Sequence, residues 1–268
     1  MNWLFAGGLA LAMVTSVSAK ERTGKVVRVK GAARYSIGNN VWQPVKVGTA
    51  VKSGFLIQTA AGSLVDIILD VSDLTDLTPS RGAAGNPVAG KADAYQPKAE
   101  QDVIRVQEDT VLAIDKLSIT DTGTDQVTET QLDLRSGKIF GMVKKLTATS
   151  RYEIKLPNSV AGVRGTIYTI SADGVVQVLA GSVVISWNAP NGTPMTQTVN
   201  GGYQFDARTG LLTPIPDYDR EEMVKEARED HNVIKKPRSF IEDHTVYYVS
   251  PVQGHNGHGE GGGEGGGP

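Results

Sequence analysis

Between Lys25 and Phe205 the sequence keeps returning to one pattern, a short run rich in β-branched residues closed by a glycine or another turn former. Val27 and Val29 alternate with Arg28 and Lys30 before Gly31. Gly38-Asn39-Asn40, Gly48 and Gly54 close the next runs, and Asp173-Gly174, Ala180-Gly181 and Pro190-Asn191-Gly192 close later ones. Such residues fill a pleated, half-buried surface, and their alternation places them on one face. Turn signals about 8–12 residues apart indicate a sandwich or a solenoid-like stack. Parallel βαβ architectures need a helical pattern between strands, and none interrupts this stretch. The expected fold is all-β, with stacked antiparallel or solenoid-like sheets over residues 24–213.

Two segments break the rhythm. Residues 79–101, including Ser80 to Pro87, are too poor in large apolar side chains to pack, and read as a flexible insertion. Pro214 and Pro216 end the sheet, and Asp219 followed by Glu222 marks a helix start. Met223, Val224, Ala227 and Ile234 form a narrow apolar stripe, Glu221 and Lys225 sit at the supportive i,i+4 spacing, and Pro237 stops the run. One helix is expected over 217–236, lying on its own domain or alternatively on a partner. Residues 237–268 read as a linker, a short strand-like segment at Thr245–Val249 and a glycine-rich tail from Gly254, expected to be disordered. His255, His258, Glu260 and Glu264 in that tail offer only loose metal contacts, because flexible glycine chain preorganises nothing.

Residues 1–19 stand outside the fold. Leu4 to Val17 is mostly apolar, and Val17-Ser18-Ala19 places small residues before Lys20, the pattern of a secretory signal peptide. Met1-Asn2-Trp3 departs from that pattern in carrying no Lys or Arg. No later run of about 18 apolar residues follows, so the mature chain is expected without a membrane span, periplasmic or secreted. The sequence has no cysteine. An exported chain of this kind is held by packing and sheet hydrogen bonds, without a thiol nucleophile, a lipoprotein acylation site or Cys-ligated zinc.

The same reading excludes several function classes. With 27 basic residues against 29 acidic, bulk electrostatics gives no nucleic-acid partner. Gly-x-Ser-x-Gly, Walker and His-Glu-x-x-His patterns are missing, and all 4 histidines follow the sheet region. The expectation is no enzyme, no catalytic residue and no cofactor. Asp121 and Asp125 lack the spaced oxygens and bidentate glutamate of a calcium loop. Asp66, Asp70, Asp73 and Asp76 read as solvated strand ends, which leaves no metal site.

Leu156 to Ile170 is the central stretch. Gly162 and Gly165 bracket Val163-Arg164, and Thr166 to Ile170 continue as a β-branched strand pattern. Glycine within such a pattern marks a bulge or a close backbone approach. One reading is a structural corner, in which a buried Arg164 needs carboxylates or carbonyls around it. The other is a ligand contact, in which Arg164 offers its planar fork to a carboxylate or phosphate. Gly162, Val163, Arg164, Gly165 and Thr166 are therefore the candidate site.

Val160-Ala161-Gly162-Val163-Arg164-Gly165-Thr166 resembles the central motif of the FecR domain. Family-like stretches stand in order around it: Val47 to Gly54, Ile57-Gln58-Thr59, Gly62 to Val65, Leu132 to Ile139 and Val178 to Val184. Together they cover about Gly24 to Phe205. Asp70-Val71-Ser72 departs from the family's Asp-Gly-Ser. The resemblance implies an exported, non-enzymatic sensing or interaction module of the cell envelope, binding a protein or ligand through a sheet edge or loop. A structural or glycan-associated envelope component is the alternative. Sigma-regulating members carry a cytoplasmic anti-sigma segment and a transmembrane helix before this domain, and neither is expected before Gly24. Intact-mass analysis should find the mature protein beginning at or near Lys20; Met1–Ala19 retained in a carbonate-resistant membrane fraction would establish an anchor instead.

Overall fold

The structure, a computed structural model, describes residues 19–38, 41–69, 99, 101–189 and 192–235. The expected leader (save Ala19), most of the 79–101 insertion, and the segment 237–268 with its strand-like and histidine-bearing parts lie outside the described residues. Within them the chain forms β1 (Ala19–Glu21), β2 (Gly24–Lys30), β3 (Ala33–Ser36), β4 (Gln43–Pro44), β5 (Ala50–Val51) and β6 (Leu56–Thr59). Next come β7 (Leu64–Leu69), β8 (Asp102–Val106), β9 (Val111–Asp121), β10 (Gln126–Ser136), β11 (Lys138–Val143) and β12 (Arg151–Leu156). The last are β13 (Ser159–Ser171), β14 (Val175–Asn188), β15 (Pro194–Asn200), β16 (Tyr203–Asp206), β17 (Leu211–Pro214) and α1 (Asp217–Lys235). The all-β fold with one C-terminal helix is thus the fold observed.

The strands form one curled sheet in two layers. In the first, β2, β7, β8 and β11 pair in that order, followed by the C-terminal half of β13, the N-terminal half of β14, β16 and β17. In the second, β3, β6, β9, β10 and β12 lead to the N-terminal half of β13, the C-terminal half of β14 and β15. The β10–β12 pair is parallel. Alternation puts Val65, Ile67, Ile104, Val106 and Ile139 on the inner face of the first layer. They pack in one buried cluster with Leu112, Ile114, Leu132, Leu134 and Ile154 of the second.

The chain passes between layers at tight corners. Gly137, between β10 and β11, has a φ of 79°. A Cβ there would come within 2.2 Å of Thr110 Oγ1. Glycine meets both demands, since it accepts positive φ and leaves room for the neighbouring corner. Thr110 Oγ1 in turn accepts the Lys138 backbone N–H at 2.9 Å, so the two corners are bonded as well as nested.

Inside the sandwich, Arg22 donates from Nη2 to Asp102 Oδ2 at 2.8 Å and from Nη1 to Thr130 Oγ1 at 3.3 Å. Asp102 Oδ1 also accepts the Lys144 backbone N–H at 2.9 Å. Nearby, the Tyr168 and Tyr152 hydroxyls lie 3.3 Å apart, and burial pushes both phenols up from their ordinary value. Gly141 provides the room for the Tyr168 ring, since a Cβ would approach it to 2.4 Å.

The outer face of the first layer carries an unexpected row. Arg28, Asp66, Arg105, Phe140, Thr169, Gln177 and Gln204 stand opposite one another on successive strands. α1 lies along this row. Met223 and Ala227 cover Phe140, Met142 and Ile167. Beside that apolar contact, Gln177 Nε2 donates to Asp219 Oδ2 at 2.7 Å, Gln107 Nε2 donates to Glu226 Oε1 at 2.8 Å, and Arg105 pairs with Asp230. Asp66 is therefore no solvated strand end: it is buried mid-strand and accepts from Arg105 Nε at 2.8 Å and Arg28 Nε at 2.5 Å. Asp70, Asp73 and Asp76 lie outside the described residues. Burial opposes the Arg105 charge, but Asp66, Asp230 and Glu226 outweigh it and raise its pKa. Removing one partner of such a pair strands the other's charge, so Arg105→Ala should cost about 3–5 kcal/mol in urea denaturation. Arg105→Lys should recover only part, for want of the planar fork. A loss under about 1 kcal/mol would place the cluster among solvated surface pairs.

Candidate functional site at the bend of β13

The candidate motif lies where β13 leaves one layer for the other. Ala161 and Val163 point inward and are buried, while Val160, Gly162 and Arg164 face outward. Register is regular as far as Arg164 opposite Ser182, then shifts before Ile167. The shift is a bulge, and Gly165 sits in it with a φ of 63°. Across from it Gly181 has a φ of 85°, and a Cβ there would stand 2.2 Å from the Gly165 carbonyl oxygen. Two strands bend together here because two glycines let their backbones touch.

Thr166 repairs the ladder that the bulge interrupts. Its fully buried hydroxyl donates to the Ser182 carbonyl at 2.7 Å and accepts the Ser182 N–H at 3.2 Å. Those backbone groups are half-buried, and the hydroxyl pairs them where the regular register is lost. The motif positions thus divide the structural demands of the bend among them. Val163 fills the core, Gly165 supplies the conformation, and Thr166 closes the hydrogen bonds.

Two of the five depart from the constraint expected of them. Gly162 has an ordinary φ, and the nearest atom to an added Cβ would be the Val184 carbonyl oxygen at 3.8 Å, so neither strain nor collision requires glycine there. Arg164 is exposed, and its guanidinium makes no ion pair or hydrogen bond among the described residues. The buried arginine surrounded by carboxylates is found elsewhere in the chain, at Arg105.

Arg164 stands on a solvent-facing sheet surface. Cross-strand rows run Arg164, Ser182, Asn200; then Glu153, Gly162, Val184, Thr198; then Lys155, Val160, Ser186, Thr196. Val160 and Val184 are 41% and 44% exposed and flank the bare backbone of Gly162, giving a small apolar patch beside the arginine. Lys145 backs onto the bend, its Cα 3.4 Å from where a Gly165 Cβ would be. It also lines an open polar cleft of about 460 Å³ between the β9–β10 turn and the segment after β11. Among the described residues β15 pairs on one side only, so the surface ends in an open strand edge.

The buried cluster around Arg105 escaped sequence reading, although a signal was present. Arg105 interrupts Val103-Ile104-Val106, and Asp66 interrupts Val65-Ile67-Ile68. A charge inside a continuous apolar run is a candidate buried pair. Its third member, Asp230, occupies the position where the apolar stripe of α1 would continue after Met223 and Ala227.

Residues 96–184 match the family model described as FecR protein. Over that stretch the resemblance carried by the Val160–Thr166 motif is shown, and the stretch contains β8 to β13, the bend and the start of its return through β14. The earlier family-like segments, Val47 to Val65, fall outside the match. No curated protein matches the chain. Two crystal structures of a "putative anti-sigma factor" from Parabacteroides distasonis ATCC 8503, at 2.50 Å and 1.65 Å, are similar at 15% and 14% identity. Each has a TM-score of 0.30 and covers 44% of this chain. The chain spans about half the length of those proteins, 52%.

Gly165→Val should lower the melting temperature, with a cost of about 1–3 kcal/mol for forcing a β-branched residue to positive φ. Thr166→Val should cost about 0.5–1.5 kcal/mol by removing the hydrogen bonds to the half-buried Ser182 backbone. Arg164→Ala should stay within about 0.5 kcal/mol of the parent. Thermal melts followed by circular dichroism distinguish the three, and a large loss for Arg164→Ala would return that residue to a structural role.

Proposed function

We propose that the protein is an exported, non-enzymatic FecR-like sensing or interaction module of the cell envelope. It captures a protein or ligand bearing an anionic group on the outer face of the second layer, around Arg164. The observation that carries this reading is the exposed guanidinium, unpaired among the described residues, on a bend that the chain stabilises by other residues. Such an arginine keeps all five donors for a carboxylate or phosphate. Val160 and Val184 add apolar contact beside it, and the open edge of β15 offers backbone groups for strand addition. The match to the FecR family supports a regulatory or sensing role over a catalytic one.

Capture by immobilised mature protein from envelope extract tests the proposal. Arg164→Ala, folded like the parent, should lose about tenfold or more in binding, as expected for a hydrogen bond to a charged group. Binding should weaken as salt rises, because an exposed charge is screened. Equal capture by parent and Arg164→Ala would remove the arginine from the site. A glycan-binding assay beside it tests the alternative of a glycan-associated envelope component, which predicts retention independent of Arg164.

A further inference from the structure

We propose that α1 is a proton-coupled latch: its docking on the first layer takes up a proton at Asp230, so raising the pH through neutrality loosens the helix. This stands on the opposite outer face from Arg164 and does not depend on the recognition proposed there.

The argument begins with a charge count at one buried point. Asp230 is 1% exposed. Facing it are Arg28 from β2, Asp66 from β7 and Arg105 from β8, with Glu226 and Glu229 from α1 itself. Lys138 of β11 acts on Glu226 from the side. Four carboxylates thus share two guanidiniums. Asp66 already takes the Nε of both arginines, at 2.8 Å and 2.5 Å. Glu229 draws on the outer nitrogens of both at 3.4 Å.

Asp230 is left with the poorest compensation. Oδ1 contacts Arg105 Nη2 and stands 4.0 Å from Arg28 Nη2. Oδ2 is buried without a hydrogen-bond partner among the described residues. An ionised carboxylate with one bare oxygen in a water-poor site is costly, and a protonated one removes a negative charge from an over-supplied cluster. Burial first, then repulsion from Asp66, pushes Asp230 up to about 8 against the pull of Arg105 and Arg28. Burial raises the neighbouring Glu226 as well.

The direction follows from proton linkage. Once α1 is released, Asp230 is solvated and titrates in the ordinary carboxylate range. Between that range and about 8 the docked form binds more protons than the released form. Docking is therefore strongest at the acid end of this window and weakens as pH rises toward its top, by up to about tenfold per pH unit. Contact with Met223 and Ala227 holds the helix in place at either end, so the proton adjusts an equilibrium that packing sets.

Hydrogen exchange of the full chain between about pH 6 and 9 tests the latch, after removal of the known base-catalysed dependence of intrinsic exchange. Protection of α1 amides should fall at least several-fold across the range while β8 and β11 hold theirs. Asp230→Asn, neutral at every pH, should keep α1 protected and flatten the profile. A flat profile in the parent, or the same fall in Asp230→Asn, overturns the proposal. Should Asp230→Asn fail to dock, a carbon-13 titration of the Asp230 carboxyl in the parent decides: a midpoint well above the ordinary range supports the latch, and one at or below it overturns it.

Discussion

The pairing of Arg105 with Asp66 and Asp230 constrains the rest of the architecture. A guanidinium that cannot lose its charge is buried on the outer face of a β-layer, and no strand neighbour alone can satisfy it. Asp66 provides one partner from the adjacent strand, and α1 must lie across the layer to provide the other. That requirement sets where the helix crosses, which of its faces turns down, and why Phe140, Met142 and Ile167 can be apolar on a face that would otherwise meet water. The core between the layers is conventional apolar packing. What covers the first layer is a polar row bridged by a helix.

A second constraint operates at the bend of β13. The chain makes two layers from shared long strands, so β13 and β14 have to change direction together. Gly165 and Gly181 permit the approach, and the Thr166 hydroxyl restores the hydrogen bonds lost at the bulge. Packing and hydrogen bonding at the bend do not draw on the Arg164 guanidinium. The motif Val163 to Thr166 therefore combines a structural device with one residue that the bend leaves unused.

The two outer faces differ in what covers them. The second layer presents a solvent-facing surface with an exposed cation and, among the described residues, a strand that pairs on one side only. The first layer is covered by a helix that Met223 and Ala227 pack onto it and that Asp230 ties to Arg105.

The strand rhythm from Lys25 to Phe205, the helix after Pro216 and the marked status of Gly162 to Thr166 were all legible in the sequence. Period-2 alternation, turn glycines and helix-start residues are local properties, encoded within a few positions of where they act. Whether Arg164 was buried or exposed could not be read from its neighbours, because Val163 and Arg164 differ by one step of the pleat and the burial of each layer's outer face depends on what covers it. Asp66 looked like a strand end for the same reason. Its partners are 39 residues away in Arg105 and 38 residues away in Arg28, and Arg105 reaches a further 125 residues to Asp230. Only folding brings such groups together, and only their meeting in a site with little water turns two ordinary surface residue types into the charge cluster under the helix.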